Sequence, residues 1–311
     1  MSPLIGSHRE FRLAHAVNPV TPPEGSDLGV AQSIAFECMQ QAARFSSDLR
    51  VEHLAMVYPQ DASMVPDGFI RTADLDRSVM DVGVFDTVRR LPLLADLLER
   101  AHDATDADWL IFTNVDISPM PFFYEAIHRW LSLGHDTLVV NRRTISGEWH
   151  SRDDIALMYS EIGGQHPGYD CFVFPRRWVP DLDLGEVCLG VPGIGLALVL
   201  ALYAKAASPK FLDGEHLTFH IGNDGSHRGK ESDGFHSHNA MECHRLVGRL
   251  DATYGPMDDR LPSWSSRRVA ELRRSPGADP LAPHRVGRPL RRLCRRTRRF
   301  VGRLLRLLLG R

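Results

Sequence analysis

Residues 107–124, ADWLIFTNVDISPMPFFY, decide the fold. Within them 109–115 (WLIFTNV) is a continuous apolar run of the kind found in a strand buried on both faces, and a helix begins soon afterwards near Phe122. A strand covered on both faces requires helices above and below it. The same stretch delivers two polar side chains, Asn114 and Asp116, to the strand's end. At positions i and i+2 of an extended chain they point the same way.

The segments on either side repeat the alternation. Upstream, 11–17 (FRLAHAV) reads as a strand that stops at Asn18-Pro19, and the Pro/Gly-rich stretch 19–25 breaks it. Asp27 then caps a helix whose Leu28, Ala31, Ile34, Ala35, Cys38, Ala42 and Phe45 share one face. A second strand is expected at 51–57 and a helix at 93–101. Downstream come a helix at 122–133, a strand at 137–140, a helix at 153–162, a strand at 171–174, an apolar helix at 194–206 and a strand at 217–221. Strands separated by helical crossovers predict an α/β fold with a mostly parallel sheet and helices on both faces. In such sheets ligands bind beyond the carboxyl ends of the strands, which directs attention to Asn18, 114–116, 141–143, Asp170 and its neighbours, and 220–224.

Composition narrows the class. With 311 residues, 43% of them hydrophobic and 24% charged, the chain is an ordinary globular one. Its five cysteines form no Cys-x-x-Cys pair, which argues against a zinc ribbon or a disulfide framework and for a reducing cytoplasm. The first twenty residues lack the basic start and apolar run of a secretory signal, and no stretch is long and apolar enough to span a bilayer. There is no Gly-x-x-x-x-Gly-Lys-Ser/Thr and no Gly-x-Ser-x-Gly, and 190–195 has the wrong glycine order for a dinucleotide fingerprint. A P-loop kinase, an α/β serine hydrolase and a nicotinamide dehydrogenase are thereby disfavoured.

A carboxylate with an amide oxygen beside it, as at Asn114 and Asp116, suits a hard divalent cation that keeps positions open for phosphate oxygens. This segment resembles the metal-binding Asp-x-Asp region of nucleotide-diphospho-sugar transferases with the GT-A fold, although Asn114 stands where that motif has its first Asp. The resemblance covers about residues 10–245. It implies a GT-A, Rossmann-like catalytic domain that moves a sugar from a nucleotide-diphosphate donor to an unknown acceptor, assisted by Mn²⁺ or Mg²⁺. Asn18, Arg71, Asn114 and Asp116 would contact the donor. Asp116 and His220 would hold the metal. Asp170, in 166–177 (HPGYDCFVFPRR), would be the catalytic acid–base residue, with Asp181, Asp183 and Glu186 as the other available carboxylates. Arg71, Arg142 and Arg143 are placed to share in neutralising the diphosphate. His216 and His220 cannot serve one ion together, because four residues of strand separate them by roughly 13 Å. A metal-dependent phosphoesterase and a catalytically degenerate scaffold of the same fold are the alternatives.

The net charge of −2 hides an asymmetry, since 285–311 holds 11 arginines and no acidic residue, while all 39 acidic residues precede it. Leu290, Leu293, Cys294, Thr297, Val301, Leu304, Leu305 and Leu308 form one helical stripe within 289–311. A basic amphipathic helix of this kind fits an anionic membrane surface, and the leucines are what nucleic acid would not need. The expected organisation is a catalytic domain over 1–258, a Pro/Ser/Arg-rich linker over 259–284 and the amphipathic helix over 285–311. No nucleic-acid partner is expected, and the protein is placed in the cytoplasm, peripherally on the membrane.

Overall fold

A computed structural model describes residues 11–166, 168–222 and 233–274. β1 (Arg12–Val17), α1 (Leu28–Phe45), β2 (Arg50–Ala55) and β3 (Ile70–Arg71) lead to α2 (Leu94–Asp103) and β4 (Trp109–Thr113). Next come β5 (Ser118–Pro119), α3 (Phe123–Ser132), β6 (Thr137–Val140), β7 (Arg143–Ile145), the single-turn α4 (Ile155–Met158) and β8 (Gly164–Gln165). β9 (Cys171–Pro175), α5 (Ile194–Lys205), β10 (Pro209–Leu212), β11 (Thr218–Ile221), α6 (Asp233–Tyr254) and α7 (Ser263–Arg274) follow.

Seven strands form the main sheet in the order β10-β6-β9-β4-β1-β2-β3. Only β9 runs against its neighbours, β4 and β6, and the other pairs are parallel. The α/β fold with a mostly parallel sheet is therefore as expected. Side chains alternate between the two faces as the two-residue period of a strand demands. Leu13, Ile111, Leu138, Val140 and Val173 pack with Phe123, Ile127 and Leu131 of α3. Ala14, Leu110, Phe112, Val139, Phe172 and Phe174 face the opposite core, built from α2, α5, α6 and α7. Every residue in 196–204 of α5 is buried, so this helix is apolar all round rather than striped.

A second, four-stranded sheet has the order β5-β11-β7-β8. The strand expected at 217–221 belongs here, beside β5 and β7, and not to the main sheet. Its close packing depends on glycine: Gly163, at φ +62°, brings its Cα so near β7 that an added Cβ would meet the Thr144 carbonyl oxygen at 2.5 Å.

Two expectations are corrected. The helix expected at 153–162 is a single turn at Ile155–Met158, because only Ile155 and Met158 bury a face there. The linker expected over 259–284 contains α7, whose Val269 and Leu272 are buried against the main core. Its arginines disguise it: Arg273 bonds both Asp251 and Asp258, so charge that reads as linker is spent on pairing. The tail at 285–311 lies outside the described residues. No described helix is long and apolar enough to cross a membrane.

Candidate active site

The chain passes between the two sheets at several places, and the polar residues expected to work together sit at those crossings. Residues 114–117 carry it from β4 to β5, Asn141 and Arg142 from β6 to β7, and His166 and 168–170 lie between β8 and β9. Backbone bonding continues there, from Asn141 N–H to the Leu212 carbonyl and from His166 N–H to the Arg142 carbonyl, and the side chains bond one another as well.

Asp116 meets His220 of β11, with Nε2 3.2 Å from Asp116 Oδ2. On the other side of the ring, Nδ1 donates to the Gly222 carbonyl at 3.0 Å, which fixes its orientation. Gly222 has φ +68° and packs on Gly147, so the turn that carries that carbonyl needs glycine. Asn114 donates from Nδ2 to Asp170 Oδ1 at 3.3 Å. Asp170 Oδ2 lies 3.4 Å from Arg142 Nε and 3.4 Å from His166 Nδ1. Arg142 is the largest fully buried side chain, and Asp170 is itself only 8% exposed. A buried carboxylate and a buried guanidinium each need the other, since either one alone would be uncompensated.

Three oxygens in this cluster are buried without a hydrogen-bond partner: Asn114 Oδ1, Asp116 Oδ1 and Asp170 Oδ2. Such atoms are costly unless something binds them. Of the residues chosen from the sequence, Asn114 meets Asp170 and Asp116 meets His220, two pairs linked through the segment 114–116. Among the described residues no group of three or more His, Cys, Asp and Glu side chains forms a metal-ligand set. Asp116 and His220 are two side chains of the ligand type, one short of such a set.

The remaining site residues stand apart. Asn18 follows β1 at the same carboxyl edge, but it is buried and its Nδ2 donates to the Met56 carbonyl at 2.5 Å, stitching the exits of β1 and β2. Arg71 ends β3, three strand spacings or roughly 14 Å from β4, and its guanidinium bonds Asp74 Oδ1 twice. Of the other carboxylates, Asp181 pairs with Lys205 and Asp183 with Arg249. His238, Asn239 and Glu242 of α6 bind the backbone at 186, 188 and 192, so they order that loop.

Sequence reasoning pointed to 141–143 and 166–177 but gave Asn141 and His166 no role of their own. Asn141 Nδ2 donates to the carbonyls of His166 and Gly168, at 2.6 and 2.7 Å, and so fixes the loop that precedes Asp170. The signal was present, since 141–143 (NRR) follows a strand and His166 opens the segment that contains Asp170. What lacked was any sign that the two segments meet.

Beneath the site a polar cluster is sealed in the core. Tyr124 Oη lies 2.9 Å from His15 Nδ1 and 3.0 Å from His53 Nε2, and His15 Nε2 is 2.9 Å from Thr113 Oγ1. Burial holds His15 well below the usual imidazole range and His53 at about 4, so both rings are neutral near pH 7.

No family model and no curated protein matches the chain. Among solved structures it is similar to S. aureus TarS residues 1–349 in complex with UDP-GlcNAc, at 9% identity and a TM-score of 0.49 over 84% of this chain and 73% of that one. It is also similar to glucosyl-3-phosphoglycerate synthase from Mycobacterium tuberculosis in complex with Mn²⁺, UDP and phosphoglyceric acid. There the identity is 15% and the TM-score 0.42, over 75% of this chain and 78% of that one.

Proposed function

We propose that this chain transfers a sugar from a nucleotide-diphosphate donor to an acceptor, with a divalent cation on the diphosphate. The observation that carries the reading is the pairing of Asp116 with His220. His220 Nδ1 donates a hydrogen bond to the Gly222 carbonyl, and Nε2 stands 3.2 Å from a carboxylate oxygen of Asp116. A divalent cation at this pair would take the Nε2 lone pair and the Asp116 carboxylate as ligands in place of that contact. Adjacent ligands of an octahedral ion with bonds of about 2.1 Å stand roughly 3 Å apart. The donor set fits Mn²⁺ or Mg²⁺: one carboxylate and one imidazole, with the remaining positions left to diphosphate oxygens and water. Bound there, the ion supplies Lewis-acid neutralisation of the departing diphosphate.

The chain's own residues do the rest. Asn114 anchors Asp170, and Arg142 pairs with it in a buried setting. The unpartnered Asp170 Oδ2 is the acceptor of an incoming hydroxyl proton. The acids at 181 and 183 are held by other cations, whereas Asp170 bonds Asn114 directly. Asn18 and Arg71, at the exits of β1 and β3, mark the nucleotide end of the same sheet edge. The tail at 289–311 holds the protein on an anionic, cytoplasmic membrane surface, and its support is the sequence pattern of arginines and leucines.

The test is a melting screen of UDP-, GDP-, ADP- and dTDP-sugars with Mn²⁺ or with EDTA. A ligand at 100 times its dissociation constant adds about 2.7 kcal/mol of stability. A Mn²⁺-dependent rise in Tm with one donor is expected, and none with any donor sinks the reading. Separately, binding to anionic vesicles should weaken as salt rises and vanish when 289–311 is deleted.

A further inference from the structure

We infer that His15 clasps the two ends of the segment that carries Asn114 and Asp116, and is thereby a positioning residue for the reaction. The catalytic consequence rests on the transferase reading above, while the clasp itself belongs to the fold.

His15 lies in β1, beside Ile111 of β4, in the middle of a sheet whose core positions are otherwise mostly apolar. It is wholly buried, as are its partners Thr113 and Tyr124. A polar ring in such a place is costly unless it is bonded, and both of its nitrogens are. Nδ1 lies 2.9 Å from Tyr124 Oη and Nε2 lies 2.9 Å from Thr113 Oγ1. A neutral imidazole has a single N–H and a single lone pair, so it donates to one hydroxyl and accepts from the other. With a bond at each nitrogen the ring is fixed in orientation. Tyr124 is held in turn by His53 Nε2 at 3.0 Å, from the residue of β2 that stands opposite His15.

The places of the two partners in the chain give this ring a task. Thr113 is the last residue of β4, and Tyr124 lies in the first turn of α3. One side chain of β1 therefore bonds the chain on both sides of 114–122, the span that holds Asn114 and Asp116. Between those ends the span is secured by the two-residue β5 against β11 and by the Met120 N–H on the Leu217 carbonyl. The contacts made from it, Asn114 to Asp170 at 3.3 Å and Asp116 to His220 at 3.2 Å, already stand at the long end of hydrogen bonding. A shift of about half an ångström at the end of β4 would part them.

Thr113→Val keeps the shape of its residue and deletes the hydroxyl, and Tyr124→Phe does the same at the other end. Amide hydrogen exchange on the full chain reads the clasp directly. In each variant 114–122 is expected to exchange about tenfold faster while α5 and β9 are unchanged. Turnover is read as nucleoside-diphosphate release from UDP-, GDP-, ADP- and dTDP-hexoses with saturating Mn²⁺ and water as acceptor. In each variant kcat is expected to fall about 10- to 10²-fold, as when a catalytic group is misplaced by an ångström or less. Thr113→Ser retains the hydroxyl and should retain kcat. The double variant should be no slower than the slower single one, because either change alone opens the clasp. His15→Gln, which can bond one partner and not both, serves if a single variant does not fold. Unchanged exchange in the folded variants, full kcat in them, or deficits that multiply in the double variant overturn the clasp. Absence of turnover by the unaltered chain with every donor overturns the transferase reading, and exchange alone then decides the clasp.

Discussion

β4 and β7 end within a few residues of the same site, yet they are held by different means. β4 has five residues, is apolar nearly throughout and is covered on both faces. β7 has three, two of them only half-buried, and keeps its place through glycines that allow close approach and through Arg143, which bonds the Ile162 carbonyl. The large sheet is a product of apolar burial, worth about 25 cal/mol per Å² removed from water. The small sheet buries little and depends on geometry and polar contacts. Stability accordingly resides in the first, and the chemistry is distributed along the seam where the second joins it.

Changes that separate the two follow from this contrast. Phe172→Ala in β9 removes a fully buried ring from the centre of the large sheet and is expected to cost about 3–5 kcal/mol in denaturant unfolding, taking activity with it. Asp116→Ala at the seam should do the reverse, reducing turnover by about 10²- to 10³-fold, as loss of a single transition-state charge contact does. Its Tm should be nearly unchanged, and a collapsed Tm would make Asp116 a structural turn residue instead. Gly163→Ala tests whether the small sheet is separately breakable. A Cβ 2.5 Å from the Thr144 oxygen, at φ +62°, is expected to cost about 1–3 kcal/mol and to lower activity more than the stability change explains.

The buried histidines give the comparison a pH axis. His15 and His53 titrate below the unfolded imidazole value of about 6.5, His53 at about 4, so protons bind the unfolded chain more readily. Their contribution is fully present above pH 6.5 and declines as pH falls toward 4. A Tm series over that range should decline in the unaltered protein, and the decline should flatten in His53→Gln. The smallest effect is reserved for Asn114→Asp. If Asn114 only anchors Asp170, a second carboxylate beside it repels Asp170 and slows turnover without tightening Mn²⁺. Tighter metal binding would instead place residue 114 among the ligands.

What could be read from the sequence, and what could not, divides along the same seam. Residues 11–17, 109–115, 137–140 and 171–174 announce themselves because a strand covered on both faces is mostly apolar on both, and a short apolar run shows in the sequence itself. Asn114 and Asp116 were legible for a related reason: polar side chains directly after such a run must lie at the sheet's edge. β5, β7 and β8 have two or three residues each, too few for any period to show. α7 was hidden by arginines whose partners, Asp251 and Asp258, lie far back in the chain. The contacts that define the site span 56 residues between Asn114 and Asp170 and 104 between Asp116 and His220. Local pattern determined which side chains reach an edge. Which of them meet was decided by the crossing of two sheets, because a contact between distant residues is a property of how strands are ordered and not of either residue's neighbours in sequence.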